Sequence, residues 1–459
     1  EALTVCTVVG VVRYAFAISE INLNEQRKNL AKYIVPAMVS NLGFFILTIV
    51  DGMFVGNGTG PDALGAVSLA MPFVNIVWTV VTLFNIGGGT VASVRLGRGD
   101  VDGANQVFMH SLLANIVIFS AVSSAGMLFP QQIAVILGAN ETYLSMVSDY
   151  IFWYSVFLLT TVLSACLNTF ARNDGNPGLS IVMTAVMTTA NIFGDWLMVY
   201  PLKKGVACAA IATGAANLLG FLVVLSHYIL KKGRLRFRRF RPQLSLYRKI
   251  ILRGAPEMIS QFANQIITFS MNNMLITHLG NTAVNAYSVI TYASSLFSSL
   301  IWGLASGLQP LYGASYGAKD DKSLRYYFRS GRIIAFVGGV TIFLLTFFVG
   351  GPLCLFFGAE EAAAIPIVCG SLPKYCLNYV FAASTVVIAS YLFSTKWMPY
   401  AITINACRSI VFNFICINFL PLIFGYDFIW YTVTIAEGIC FVIAIILRKV
   451  SERNGIVYR

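Results

Sequence analysis

Residues 36–56 read PAMVSNLGFFILTIVDGMFVG, and residues 256–276, which lie 220 positions later, read PEMISQFANQIITFSMNNMLI. Both runs begin with proline and continue as long apolar stretches. The same offset pairs further residues without a gap, among them Gly60, Ala63, Ala66, Gly87, Gly97 and Asp100 with Gly280, Ala283, Ala286, Gly307, Gly317 and Asp320. A constant offset over this length predicts an internal duplication, with two copies of one fold in the chain.

The composition indicates a membrane protein, because 57% of the 459 residues are hydrophobic and only 11% are charged. Apolar stretches of about 20 residues are long enough to cross about 30 Å of hydrocarbon as helices. Six are predicted in each copy, at residues 31–56, 66–92, 105–128, 143–171, 178–200, 205–230, 250–278, 283–312, 326–350, 363–393, 399–421 and 427–447. We therefore predict an all-α membrane protein with twelve transmembrane helices in two pseudo-symmetric six-helix bundles.

Basic residues lie mainly in alternate loops, which predicts that both termini lie in the cytoplasm. We expect a multi-pass protein of the plasma (inner) membrane. This bias accounts for the net charge of +12, so the expected surrounding is the lipid bilayer and no nucleic-acid partner is expected. We expect a monomer. The predicted segments are an N-terminal stretch of unassigned role at 1–25, an N-terminal bundle at 26–230, a basic cytoplasmic linker at 231–249, a C-terminal bundle at 250–448 and a cytoplasmic tail at 449–459.

The nine cysteines and three histidines predict neither a disulfide framework nor a metal centre. No two cysteines have the CxxC spacing, and no histidine lies in a zinc-type motif. We therefore expect no cofactor and no enzymatic activity.

Acidic residues inside the predicted spans of the first copy mark a candidate site. A carboxylate in hydrocarbon is unfavourable unless it faces protein or water, and Asp51 lies in the first span and Asp195 in the fifth. Asn191 precedes Asp195 by one helical turn on the same face, and Thr213 adds a hydroxyl on the sixth span. Oxygen ligands of this kind suit Na⁺, and two neighbouring carboxylates could instead hold a proton, so either ion fits these residue types.

Three further residues of the first copy stand out. Tyr150 and Asn168 are polar residues of the fourth span, for which ordinary packing is an equally good interpretation. Pro36 lies inside the first span, where it removes a helical hydrogen bond and creates a bend. The helix that carries Asp51 therefore has a hinge about four turns before its acid.

The second copy lacks the two acids of the first copy but has other polar residues in or beside its spans: Glu257, Lys374, Arg408, Asn413 and Glu437. Opposite charges on neighbouring helices neutralise each other, so a structural ion-pair network is the favoured interpretation. A second ion site or a contact with substrate are the alternatives.

With these motifs the chain resembles the multidrug and toxic compound extrusion (MATE) family, of the MOP flippase-like fold, and is most similar to its bacterial DinF-like or MepA-like members. The resemblance covers residues 25–450 and rests on Pro36 with Asp51, on LGRGD at 96–100, on RNDGNP at 172–177, on Asn191 with Asp195, and on Ala212 with Thr213. It implies two facing bundles that alternate between outward-open and inward-open forms.

The resemblance also implies an antiporter that exports small organic cations or amphipathic compounds in exchange for Na⁺ or H⁺. By motif, Asp51, Asn191, Asp195 and Thr213 would form the coupling-ion site, and Pro36 would be the bending point. Tyr150 and Asn168 would border the same cavity. Members that couple through the C-terminal bundle have an acid deep in the seventh helix, whereas Glu257 directly follows Pro256.

Two other classes are compatible with parts of this pattern. An exporter or flippase of a lipid-linked or other specific metabolite would share the duplication but would be expected to have a more cationic cavity. An intramembrane aspartyl protease also needs two aspartates on separate helices, but its second acid lies in a Gly-x-Gly-Asp motif. This chain reads Ile192-Phe193-Gly194-Asp195, so an isoleucine stands where that motif has its first glycine. Both acids also belong to one copy.

Overall fold

A computed structural model of the chain describes residues 25–59, 61–199, 207–356 and 364–453. The predicted N-terminal stretch before residue 25, the basic pair Lys203 and Lys204, and the tail beyond residue 453 lie outside these ranges. All regular elements within them are helices, as the long apolar runs predict.

The helices of the first copy are α1 Glu25–Thr59, α2 Pro61–Gly97, α3 Val101–Leu128, α4 Pro130–Ile136, α5 Glu141–Asn173, α6 Leu179–Val199 and α7 Ala207–Ile229. Those of the second copy are α8 Leu244–His278, α9 Asn281–Gly317, α10 Asp321–Phe356, α11 Ala364–Cys376, α12 Asn378–Ser394, α13 Met398–Ala406, α14 Asn413–Phe424 and α15 Ile429–Arg453. A π-helix, Cys407–Phe412, joins α13 to α14. The short helix α4, which begins at a proline, was not predicted.

Ten helical stretches of the described residues are long and apolar enough to cross a membrane. The two remaining predicted spans are helical but fall short of that measure for physical reasons. Arg253 and Glu257 lie in the first half of α8, and amide residues such as Gln261, Asn272 and Asn273 make its second half polar. The predicted span 399–421 is divided by the π-helix into α13 and α14, which have 9 and 12 residues.

The described chain forms two compact units, one of residues 39–254 and one of residues 25–38 together with 255–453. We call them the N-terminal unit and the C-terminal unit. Their boundaries lie within α1, two residues after Pro36, and within α8, immediately before Pro256. The first turns of α1 therefore belong to the C-terminal unit, and the first turns of α8 belong to the N-terminal unit. In this respect the units differ from the predicted bundles.

Glycines allow the first turns of α1 and of α8 to pack closely against other helices of their units. In the C-terminal unit, a Cβ atom added to Gly307 would lie 2.8 Å from Cα of Ile34, and one added to Gly303 would lie 2.5 Å from Cα of Met38. In the N-terminal unit, Gly87 is pressed in the same way against the backbone of Gly254. The offset of 220 relates Gly87 to Gly307 and Ile34 to Gly254, so the duplication preserves this close helix crossing.

Candidate functional site

A polar cluster of the N-terminal unit lies between α6 and α7. Nδ2 of Asn191 donates a hydrogen bond to Oγ1 of Thr213 over 3.1 Å. A Cβ atom added to Gly194 would lie 3.1 Å from Cβ of Ala212, so the two helices run close together here. Asn191 is fully buried and Asp195, one turn further along the same face, is 1% exposed. The structure therefore brings three of the four predicted ion-site residues together.

Asp51, the fourth predicted residue, lies in the described helix α1, but its side chain is outside the described part of the structure. Helix α1 itself does contact α6. A Cβ atom added to Gly43 would lie 2.5 Å from Cγ2 of Thr184. Asp51 follows Gly43 by eight residues, or about 12 Å along the helix axis.

Helix α6 carries more polar residues on this face than the prediction included. Ser180, Thr184 and Thr188 precede Asn191 and Asp195 at intervals of three or four residues, which places all five on one face. Ser180 and Thr184 are buried. The signal was present in the sequence LSIVMTAVMTTANIFGDWLMV, but serine and threonine are common in transmembrane helices and the sequence alone does not show whether they face lipid or protein.

Tyr150 and Asn168 are both buried but lie far apart on α5. Eighteen residues separate them, or about 27 Å along the helix axis. The ring of Tyr150 stacks on that of Tyr154 with a centroid distance of 6.2 Å. Oδ1 of Asn168 accepts a hydrogen bond of 2.7 Å from Oγ of Ser180, in the first turn of α6. The structure does not bring these two predicted cavity residues together.

The C-terminal unit contains a buried ion pair. Nε of Arg408 lies 2.7 Å from Oε1 and 3.0 Å from Oε2 of Glu437, which is 4% exposed. Nδ2 of Asn413 donates to the carbonyl oxygen of Arg408 over 2.6 Å, across the π-helix. Glu257 is also buried and interacts electrostatically with Arg408. Arg408 is thus bonded directly to two other predicted network residues, Glu437 and Asn413.

The remaining polar residue of this group, Lys374, lies beside the same helix α15. Its Nζ is 5.6 Å from the centroid of the Tyr431 ring, and its carbonyl oxygen accepts a hydrogen bond from Oγ1 of Thr434 over 2.9 Å. Thr434 precedes Glu437 by three residues, which places Lys374 about one turn from the ion pair.

The basic linker is held by buried side chains that the sequence analysis did not single out. Asp174, at the end of α5, accepts hydrogen bonds from the backbone N–H groups of Arg234 and Leu235 over 2.8 and 3.1 Å. It also lies 3.2 Å from Nε2 of His227. Oδ1 of Asn105 accepts the N–H of Arg236 over 2.6 Å. Because the linker has no regular structure here, these side chains replace the backbone partners of a helix.

Aromatic packing completes the attachment of the linker. Phe237 packs against Phe108 and Tyr228, each with a centroid distance of 5.6 Å. Nε2 of His110 accepts the N–H of Gln243 over 2.8 Å, so its other ring nitrogen carries the proton. The basic side chains of this segment are exposed: Lys231, Lys232, Arg234, Arg236, Arg238, Arg239 and Arg241.

Comparison with known proteins identifies the class to which this fold belongs. The MatE family matches the chain twice, over residues 36–197 and 256–419, and the two matches begin 220 residues apart. The chain therefore belongs to the MATE family of transporters. This membership confirms the predicted resemblance and the prediction that the chain is a transporter and not an enzyme.

The curated relatives are distant. The multidrug export protein MepA of Staphylococcus haemolyticus is 26% identical over 294 residues, which are 63% of this chain and 64% of the length of that protein. The FAD transporter of Shewanella oneidensis is 25% identical over 397 residues, or 82% of this chain and 84% of the relative. The names of the two relatives give different substrates: multiple drugs for MepA and FAD for the other protein.

Solved structures agree on the fold. A MATE transporter crystallised in complex with MaL6 superposes with a TM-score of 0.87 at 18% identity, covering 93% of this chain and 96% of that chain. A mutant of the Vibrio cholerae MATE transporter VcmN gives 0.87 at 19% identity, covering 94% and 98%. The predicted all-α membrane fold is confirmed as the MATE fold.

Proposed function

We propose that this transporter is an antiporter that exports cationic or amphipathic organic compounds in exchange for Na⁺ or H⁺. The observation that supports this most is the polar cluster of the N-terminal unit in which Asn191 and Asp195 are buried and Asn191 donates a hydrogen bond to Thr213. A carboxylate at membrane depth is retained where it serves an ion or a substrate pathway. The similarity to MepA, a multidrug export protein, supports the substrate class.

In this mechanism the entering ion neutralises the acidic site in the N-terminal unit. Asp195 would hold the ion or proton together with Asp51, while the amide of Asn191 and the hydroxyl of Thr213 complete the oxygen ligands. An organic cation that depends on the same negative charge then loses its counter-charge and leaves. Coupling of this kind is reciprocal, so the organic cation must weaken ion binding by the same factor.

Pro36 is the proposed hinge. It lies in a continuous helix, two residues before the boundary between the compact units, and a proline at that position removes one backbone hydrogen bond. Bending of α1 at Pro36 would change the position of the segment that carries Asp51 relative to the first turns of the same helix.

We also propose that both termini face the cytoplasm and that the linker lies at the cytoplasmic surface. The seven exposed basic side chains of residues 231–241 support this orientation, because basic loops remain on the cytoplasmic side.

The test of this function uses proteoliposomes with separately imposed Na⁺ and proton gradients and a fluorescent organic cation. We expect one gradient to drive transport and Asp195→Asn to reduce the driven rate at least tenfold, within the usual range of coupling energies. Asp149→Asn is the matched control, because Asp149 is an exposed acid on α5. Equal transport by the parent and by a folded Asp195→Asn variant would refute coupling at this site.

A second candidate is export of an anionic metabolite such as a flavin nucleotide. The FAD transporter aligns over a larger share of this chain than MepA does, and Arg408 and Lys374 place two cationic groups inside the C-terminal unit. The same proteoliposomes loaded with FAD distinguish the two substrate classes. Transport of FAD without transport of the organic cation would favour the metabolite exporter.

A further inference from the structure

Several buried polar atoms in the N-terminal unit have no hydrogen-bond partner among the described residues. Four of them are Oγ of Ser40 on α1, and Oγ1 of Thr184, Oγ1 of Thr188 and Oδ1 of Asn191 on α6. Ser40 is 3%, Thr184 5% and Asn191 0% exposed. A buried polar group without a partner destabilises the fold, so native proteins commonly satisfy it with internal water.

The threonines of α6 differ in this respect from others in the same unit. Thr79, Thr161 and Thr169 each donate to the carbonyl oxygen four residues earlier in their own helix. This is the usual way for a threonine to satisfy its hydroxyl in a transmembrane helix. Thr184 and Thr188 do not make this bond. The contact of Thr184 with Gly43 shows that its side chain faces α1.

The spacing of these groups suits bridging water. Ser180, Thr184, Thr188, Asn191 and Asp195 follow one another at about one turn, or about 5–6 Å, on a single face of α6. Two hydrogen bonds of about 2.8 Å through one water molecule cover that distance. The row ends where Ser180 donates to Asn168, in the first turn of α6 and about 22 Å along the axis from Asp195.

We propose that this face of α6 holds a file of water molecules through which the coupling ion leaves the Asn191 and Asp195 site toward the cytoplasm. The inference rests on the proposed antiport function and adds a route to it. The ion exits within the N-terminal unit along Thr188, Thr184 and Ser180, and its exit does not require the organic compound to move. Asn168 then belongs to the cytoplasmic end of the ion route.

The test is removal of the hydroxyls at constant shape, with the variant Thr184→Val/Thr188→Val in proteoliposomes. We expect gradient-driven export of the organic cation to fall at least tenfold. Exchange of labelled for unlabelled organic cation without an ion gradient needs no ion release, so its rate and the Kd for the organic cation should stay within twofold of the parent. Thr184→Ser/Thr188→Ser should restore driven export, because serine keeps the hydroxyl.

Thr189→Val is the matched control, since Thr189 is an exposed threonine of the same helix, and it should behave like the parent. If the double valine variant does not fold, Thr188→Val alone carries the same expectation. Driven export at the parental rate in the valine variants would overturn the route, as would an equal loss of driven export and of exchange. A parent protein that responds to neither ion gradient would instead overturn the proposed function, and the route with it.

Discussion

Oδ2 of Asp174 accepts a hydrogen bond from the backbone N–H of Leu235 over 3.1 Å, although the two residues are 61 positions apart. Both are buried, and the same carboxylate also accepts the N–H of Arg234. The linker is therefore a fixed part of the N-terminal unit at this point, and its basic side chains are exposed as a consequence.

Replacement of Asp174 should destabilise the protein. Asp174→Ala leaves two backbone N–H groups without their acceptor, each at a cost of about 1–3 kcal/mol. We expect a clear fall in the Tm measured in detergent. Asp174→Asn keeps one acceptor oxygen and should lose less. Asp102→Ala is the control, because Asp102 forms only an exposed ion pair with Arg238, and equal effects of the two alanine variants would contradict this role.

The helix crossing at Gly307 should not tolerate a methyl group. Gly307→Ala places Cβ 2.8 Å from the backbone of Ile34, so the helices must separate at a cost of about 1–3 kcal/mol. Gly338→Ala is the matched control, because nothing lies within 4 Å of the added atom, and it should be neutral or slightly stabilising. A lower Tm for the first variant and not for the second is the expected result.

Removing one partner of the ion pair in the C-terminal unit should destabilise the protein more than removing both partners. Arg408→Gln or Glu437→Gln leaves a buried charge without its partner, which typically costs about 3–5 kcal/mol. The double variant Arg408→Gln/Glu437→Gln removes both charges of the pair, so its Tm should be higher than that of either single variant. Additive losses would show that the residues act independently. Glu452→Gln, which breaks the partly exposed Arg448 pair, should have little effect.

A carboxylate at the start of α10 should contribute to acid sensitivity. Hydrogen bonds from the side chain and the backbone N–H of Ser323 hold the pKa of Asp320 below its usual value of 3.8. Because the folded-state pKa is the lower one, the stabilisation is present above the unfolded-state value and is lost as the pH falls through the folded-state value. We expect Asp320→Asn to reduce the difference in Tm between pH 5 and about pH 3. An unchanged difference would contradict this expectation.

Much of the fold follows from local patterns in the sequence. Long apolar runs predict helices in a bilayer, and the offset that relates Pro36 to Pro256 predicts the duplication that both family matches confirm. Asn191 and Asp195 could be assigned to one face because helical periodicity relates residues four apart. The sequence could not predict which compact unit contains the first turns of α1 and of α8. That assignment depends on contacts between distant segments, such as those of Gly307 and Gly87.

The sequence by itself determined the solvent, the helical class, the two copies and the acidic residues in the first copy, because each depends on composition or on spacing along one helix. Only the tertiary structure decided which polar residues meet. It joins Asn191 to Thr213 and Ser180 to Asn168, and it attaches the linker to Asp174. These outcomes depend on how deep each residue lies and which neighbour it faces, and no one-dimensional pattern specifies the pairing of distant helices.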